Sequence, residues 1–244
     1  MEIFAHRGFS SEYPENTLLA FKKAYEVGAH GIELDVRLTK DQEVVVIHDS
    51  SVDRTTNGSG AVNELTLAEI QKLDAGSWKG IAFENEPVPT LKTVLDVMGG
   101  KLTVNIEMKH ENDHERDPLV HRVLELIYMS GYQDNVILSS FDFKCIVVAK
   151  EQMPNIAAAL IPTPGFRGVL ARHLFKHSAH VDALHPSLHE VNESLVKNEH
   201  LSHRKVRVWT VDDSYDMMRM ERMGVDAIMT NDPLLGLVYS RSGS

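Results

Sequence analysis

Nine short apolar runs recur along this chain with helical patterns between most of them, and this alternation constrains its fold more than any other feature. The runs are EIFAH, HGIELDVRL, EVVVIH, KLTVNIEM, NVILSSF, IAAALI, VDALH, KVRVWTV and DAIMT. Between them lie stretches such as ENTLLAFKKAYEVG, in which Leu18, Phe21 and Tyr25 return at helical spacing and Gly28 supplies a stop. Strands that alternate with helices read as βα units on a parallel sheet. Eight or nine such strands in 244 residues predict an α/β fold, a (β/α)8 TIM barrel forming one domain over residues 1–244. The alternative is an open doubly wound sheet. No GxGxxG or Walker-type phosphate loop follows the first strand, which counts against its nucleotide-binding version.

After VVVIHD the rhythm breaks: residues 49–89 hold turn chemistry and one short helical pattern before TLKTVLDVM resumes it. A small insertion after the third strand is therefore expected. It should emerge at the C-terminal lip of the barrel, where the sites of such folds lie, either as a lid or as a plain surface loop. The closing RSGS reads as a frayed tail.

A formal net charge of -10, from 25 basic and 35 acidic residues, opposes polyanionic partners, so no nucleic acid and no anionic membrane surface is expected. No uninterrupted apolar run reaches the roughly 18 residues of a membrane span, so no membrane anchor is expected either. The single Cys145 forbids an intrachain disulfide, and the chain opens on a strand-like segment in place of a basic and then apolar leader. A cytoplasmic location is the expectation. The sequence leaves the oligomeric state open. Of the thirteen histidines, scattered ones such as His110, His114 and His203 read as solvated.

Strand period two decides which side chains meet. In HGIELDVRL it puts Ile32, Leu34 and Val36 on one face, with Glu33, Asp35 and Gly31 on the other. In KLTVNIEMK it puts Val104, Ile106 and Met108 toward the helices, with Asn105, Glu107 and Lys109 inward. Three carboxylates converging in a barrel mouth repel one another unless a cation neutralises them. All-oxygen ligands favour one hard divalent cation, Mg2+ or Ca2+. The alternative is strand-end carboxylates paired with Lys109 and Arg37. His6 closes the first run and His48 the third, and an ordinary pKa of about 6.5 suits both to proton transfer. Arg7 and Lys109 add positive charge suited to a phosphate group. PENT, residues 14–17, starts the first helix, with backbone donors open to a phosphate or with proline simply assisting initiation. His185, near the end of the seventh run, is a further candidate that could face inward or outward.

With AHRG, PENT, ELDV, VVIHD, NIEMK and VWTV in this order and spacing, the chain resembles the glycerophosphodiester phosphodiesterase family over essentially its whole length. The resemblance implies a (β/α)8 barrel with a small insertion after the third strand. It implies a divalent metal held by Glu33, Asp35 and Glu107, acid and base roles for His6 and His48, and phosphate contacts from Arg7 and Lys109. Glu15, the glutamate of PENT, falls near the substrate, and Trp209 becomes an apolar wall of the pocket, the alternative being a buried core tryptophan. The implied reaction is hydrolysis of a small-molecule glycerophosphodiester to sn-glycerol 3-phosphate and an alcohol, with Trp209 and the insertion reading the glycerol. A second reading is a related barrel phosphodiesterase acting on lysophospholipids, for which the acidic, anchor-free chain offers no membrane-facing segment. A third is a catalytically silent binding protein on the same barrel, against which the histidine pair and the three carboxylates argue.

Overall fold

The computed structural model describes residues 1–163 and 181–241. Residues 242–244 of the RSGS tail lie outside them. Eight parallel strands close into a barrel in the order β1 (Glu2–His6), β2 (Gly31–Leu38), β4 (Thr103–Met108), β5 (Val136–Ser140), β6 (Ala157–Leu160), β7 (Ala183–Leu184), β8 (Lys205–Val208) and β9 (Ala227–Thr230). The ring is completed by β9 pairing with β1 and β1 with β2.

The third apolar run is not a stave of this barrel. Val44–Val46 forms β3, which lies antiparallel on the C-terminal end of β2, with Val36 opposite Val46 and Leu38 opposite Val44. The reason is chain length. Only TKDQ separates the second and third runs, and a parallel return needs a crossover of a dozen or more residues. The chain instead reverses in a tight turn in which the Thr39 amide donates to the Glu43 carbonyl and Gln42 adopts a positive φ of 62°. The insertion thus follows the second barrel strand. It still emerges at the C-terminal lip, because β2 ends there.

The insertion packs as a lobe with a small core of its own, in which Val45, Ile47, Val52, Val62, Ile70, Ala75 and Val88 are buried together. Its one short helix, α2 (Leu67–Ile70), begins with a capping box between Thr66 and Glu69.

The outer helices described are α1 (Leu18–Glu26), α3 (Leu91–Met98), α4 (Asp113–Ser130), α5 (Phe143–Gln152), α6 (Glu193–Leu201), α7 (Ser214–Met223) and α8 (Pro233–Arg241). All seven open on a Thr, Asn or Asp whose side chain accepts a backbone N–H of the first turn: Thr17, Thr90, Asn112, Asp142, Asn192, Asp213 and Asp232. The first case corrects the expectation for PENT. Helix α1 starts after it, at Leu18, with Thr17 as the cap, and residues 14–17 belong to the preceding loop. No helix among the described residues is long and apolar enough to cross a membrane.

Packing follows the strand period. Ile32, Leu34 and Val36 of β2 and Val104, Ile106 and Met108 of β4 are buried against the helix layer, together with Val94, Leu95, Val120 and Val123. Truncating a fully buried side chain such as Leu34 to alanine costs about 2–5 kcal/mol. Inside the barrel, Phe4, Ile137, Ala159, Ala183, Ala227 and Met229 make a separate apolar cluster. Gly31 is required there, because a Cβ on it would lie 2.4 Å from the Phe4 ring.

Candidate active site

The parallel register of β2 and β4 sets Glu33 beside Asn105 and Asp35 beside Glu107, so inward side chains on the two strands are in phase. One oxygen from each of Glu33, Asp35 and Glu107 lies within 4.8 Å of the others. Glu33 and Asp35 are 2% and 1% exposed, so their charges have almost no water to screen them. Around them, the Arg7 amide donates to Glu33 Oε2 at 3.0 Å and Asn16 Nδ2 donates to Asp35 Oδ2 at 2.9 Å. Lys109 Nζ lies 2.6 Å from Glu107 Oε1 and 3.3 Å from Asp35 Oδ1, and Arg7 Nε lies 3.4 Å from Asp35 Oδ2.

Three carboxylates against Arg7 and Lys109 leave one negative charge uncompensated, which shifts their pKa values. Burial first, then repulsion from Asp35 and Glu107, raises the Glu33 pKa well above the usual carboxylate range. Burial and Asp35 push Glu107 up to about 7 in spite of Lys109. Burial works to raise Asp35 as well, but Lys109, Arg7 and His48 together hold it below its ordinary value. Glu33 Oε1 and Asn105 Oδ1 are buried with no hydrogen-bond partner. An unneutralised all-oxygen cluster with orphaned acceptors is a donor set that fits a hard divalent cation.

The two histidines are held differently. His6 Nδ1 meets Asn231 Oδ1 at 2.8 Å, while Asn231 Nδ2 and its backbone amide donate to Asp212 at 2.6 and 2.8 Å. A carboxylate only accepts, so Asp212 fixes the amide with its oxygen toward His6. The His6 proton therefore sits on Nδ1, and Nε2 is free, 3.9 Å from Glu33 Oε2. His48 Nδ1 instead meets a carboxylate, Asp49 Oδ1, at 2.6 Å. Arg54 grips Asp49 with Nε at 2.7 Å and Nη2 at 3.1 Å, and donates to Glu15 at 2.9 and 2.8 Å. Glu15 Oε1 also accepts from Arg7 Nη1 at 2.8 Å, so charges of alternating sign run from His48 to Arg7. Burial, then Arg7, lowers the His6 pKa; burial, with Lys109 and Arg7, lowers that of His48 against the opposing pull of Asp35 and Asp49. The hydrogen bonds from Arg54 hold Asp49 far below the usual carboxylate range.

Both rings open on one cavity of about 110 Å3, with His6, Arg7, Glu33, His48, Glu107 and Lys109 on its polar side. Phe141, Ile161, Trp209 and Met229 supply the apolar side. Trp209 stands edge-to-face with Phe141 at 5.9 Å and its Nε1 donates to the His185 carbonyl at 2.7 Å. His185 faces inward and lines this cavity, 1% exposed, and burial followed by Arg207 keeps its pKa well below the ordinary value. Trp209 follows β8, and β9 lies between that strand and β1.

Two expectations change. No residue of 49–89 lines this cavity. Glu15 lies beside it, bonded to Arg7 and Arg54, and lines a second, larger cavity that shares His6 and Arg7. His110, read as solvated, pairs with Asp142 at 3.2 Å. Site residues that the sequence does not single out are Asn16, Asp49, Arg54, Asp212 and Asn231. Of these only Asp49 carried a local signal, as the residue directly after His48.

The chain is similar to known proteins over nearly its whole length. The model of the glycerophosphoryl diester phosphodiesterase family matches residues 6–235. A glycerophosphodiester phosphodiesterase of Caldanaerobacter subterraneus is 42% identical over 240 residues, which cover 97% of this chain and 97% of that protein. One from Bacillus altitudinis is 33% identical over 239 residues, 95% of each chain. Among solved structures, an Oleispira antarctica phosphodiesterase in complex with the product sn-glycerol-3-phosphate superposes with a TM-score of 0.89 at 28% identity, covering 99% of this chain and 97% of that one.

Proposed function

Because the chain belongs to the glycerophosphoryl diester phosphodiesterase family and is a glycerophosphodiester phosphodiesterase, we propose that it cleaves its substrate by metal-dependent catalysis between His6 and His48. The observation that carries this reading is a cavity of about 110 Å3 lined by two differently partnered histidines and by Glu33 and Glu107, whose carboxylates cluster with that of Asp35. Glu33, Asp35 and Glu107 hold one divalent cation, Mg2+ or Ca2+. Bound there, the ion supplies positive charge against a phosphodiester anion that otherwise repels nucleophiles. Arg7 and Lys109 contact the non-bridging phosphate oxygens, and Trp209 and Phe141 face the glycerol carbons.

The attacking group is the glycerol hydroxyl next to the phosphate, and water later opens the cyclic phosphate that results. His48 lines only the smaller cavity, where the glycerol lies, and accepts that hydroxyl proton on Nε2. Asp49 stabilises the imidazolium so formed, the role a carboxylate plays behind a histidine base. His6 borders both cavities and delivers a proton to the departing alkoxide; the substrate's phosphate charge favours the imidazolium there. The two histidines exchange roles when water attacks. The chain acts as a single catalytic domain over residues 1–244, and its one cysteine, buried at Cys145, accords with a cytoplasmic location.

The test is turnover of glycerophosphocholine and glycerophosphoethanolamine with glycerol 3-phosphate measured, in excess chelator and then with magnesium, calcium or manganese restored. Activity should vanish with chelation and return with a divalent ion. Full activity in chelator removes the metal from the scheme, and absence of glycerol 3-phosphate under every condition removes the reaction.

A further inference from the structure

The second cavity, of about 650 Å3, meets the catalytic one at His6 and Arg7 and shares no other lining residue with it. We propose that it is the binding site of the leaving alcohol and that it selects alcohols carrying an ammonium group. The proposal rests on the hydrolysis described above, in which the alcohol departs past His6.

The lobe supplies one side of the cavity. Trp78 is anchored by its edge, its Nε1 donating to the Ala75 carbonyl at 2.9 Å, and stays 39% exposed, which is unusual for a tryptophan without a ligand to cover. Lys79 reaches from the lobe to the loop after β1 and donates to the Ser10 carbonyl at 2.9 Å. The opposite side comes from the loops after β8 and β9, with Asp212 and Asp232. Asp212 accepts hydrogen bonds from Asn231 and Thr230, and Asp232 accepts one from the Leu235 amide; neither forms an ion pair with a cation among the described residues. Glu15 in the lining is paired with Arg7 and Arg54, which leaves Asp212 and Asp232 as the lining carboxylates without a cation of their own, against Lys79. Lys79 Nζ stands 6.0 Å from the Trp78 ring centroid, a contact in which the indole already takes an ammonium group, and the two carboxylates without an ion-pair partner add charge that attracts one. A neutral polyol gains nothing from that field. The lobe, absent from the walls of the catalytic cavity, thereby acquires a part in the reaction: it reads the alcohol, whereas the barrel reads the glycerol phosphate.

The experiment compares kcat/KM for sn-glycerol 3-phosphate diesters of choline, ethanolamine, glycerol and methanol. Wild-type enzyme should prefer the two ammonium alcohols over the methyl diester by about tenfold, a modest cation–π and charge contribution. Trp78→Ala and Asp232→Asn should each bring the choline-to-methyl ratio toward one; asparagine still caps α8, so the second variant keeps the fold. Calorimetric titration with free choline gives a readout independent of turnover, with millimolar binding by wild-type protein that Trp78→Ala weakens several-fold. A wild-type preference for neutral alcohols, or a ratio that survives both substitutions while all rates fall together, overturns the proposal. Choline binding without hydrolysis of any diester would instead fault the reaction and leave the site standing.

Discussion

His6 and His48 face the same cavity from different parts of the molecule, and their partners differ in kind. The barrel backs His6 with a neutral amide, Asn231, aligned by Asp212; the inserted lobe backs His48 with a carboxylate, Asp49, clamped by Arg54. An amide fixes the tautomer without adding charge. A carboxylate fixes the same tautomer and also stabilises the protonated ring. Two identical side chains are thus prepared for opposite first steps by the second residue in line, and one of those residues belongs to an insertion rather than to the barrel.

The largest expected effect comes from removing the rings. His6→Ala and His48→Ala should each lower kcat by about 10²–10⁴-fold on glycerophosphodiesters. A nitrophenyl diester separates them, because its leaving group departs without a proton. It should restore His6→Ala by at least an order of magnitude and leave His48→Ala slow; the reverse pattern would exchange the two roles.

A smaller effect is expected from making the two shelves alike. Asp49→Asn replaces the carboxylate with an amide and should cost about 10–100-fold in kcat, since the base loses stabilisation of its protonated form. The sign of the pH effect follows from the interactions: Asp49 raises the His48 pKa against the larger lowering by burial, so its loss should move the acidic limb of kcat/KM to lower pH. A limb that stays in place assigns that limb to a group other than His48. Arg54→Lys should fall between wild type and Asp49→Asn, because an ammonium cannot present two edges to Asp49 and Glu15 at once.

The smallest effect is on stability and concerns the carboxylates between the two rings. The folded-state pKa values of Glu33 and Glu107 lie above their unfolded values, with Glu107 at about 7. The native state therefore binds more protons than the unfolded state between roughly pH 4.5 and 7, and in the absence of metal stability should fall as pH rises through that window. Glu107→Gln should flatten the dependence and raise the metal-free Tm near pH 8 by a few degrees, about 2–4 °C per kcal/mol for a chain of this size. Thermal melts in chelator between pH 5 and pH 8 would show it, and a Tm that rises across that range for the unsubstituted protein contradicts it.

The carboxylate cluster was legible because it depends on local period alone. GIELDVRL and LTVNIEM each alternate faithfully, and parallel pairing brings the two inward faces into phase. The misreading of β3 has its root in what lies between the runs. Treating EVVVIH as a barrel strand makes the eighth run the one that meets β1, yet TKDQ is too short for a crossover, and the ninth run closes the ring. The helix start failed on a competition between two initiators, which Thr17 won over Pro14 through its side-chain bond to Ala20. For His185 the strand is too short, only Ala183–Leu184, to establish a phase. The partners of His6 were beyond reach altogether, since no local pattern links residues 225 positions apart.

That last separation has a consequence for how the molecule comes into being. His6 is in the first strand of the ring to be synthesised and Asn231 directly follows the last, across the seam where β9 docks on β1. A nascent chain can assemble the carboxylates and the His48 shelf from its first half. It cannot orient His6 until Asn231 has been made and the ring has shut, so recovery of activity during refolding should follow seam closure and never precede it. Turnover in this enzyme is therefore also a clock for the final docking event of its own folding.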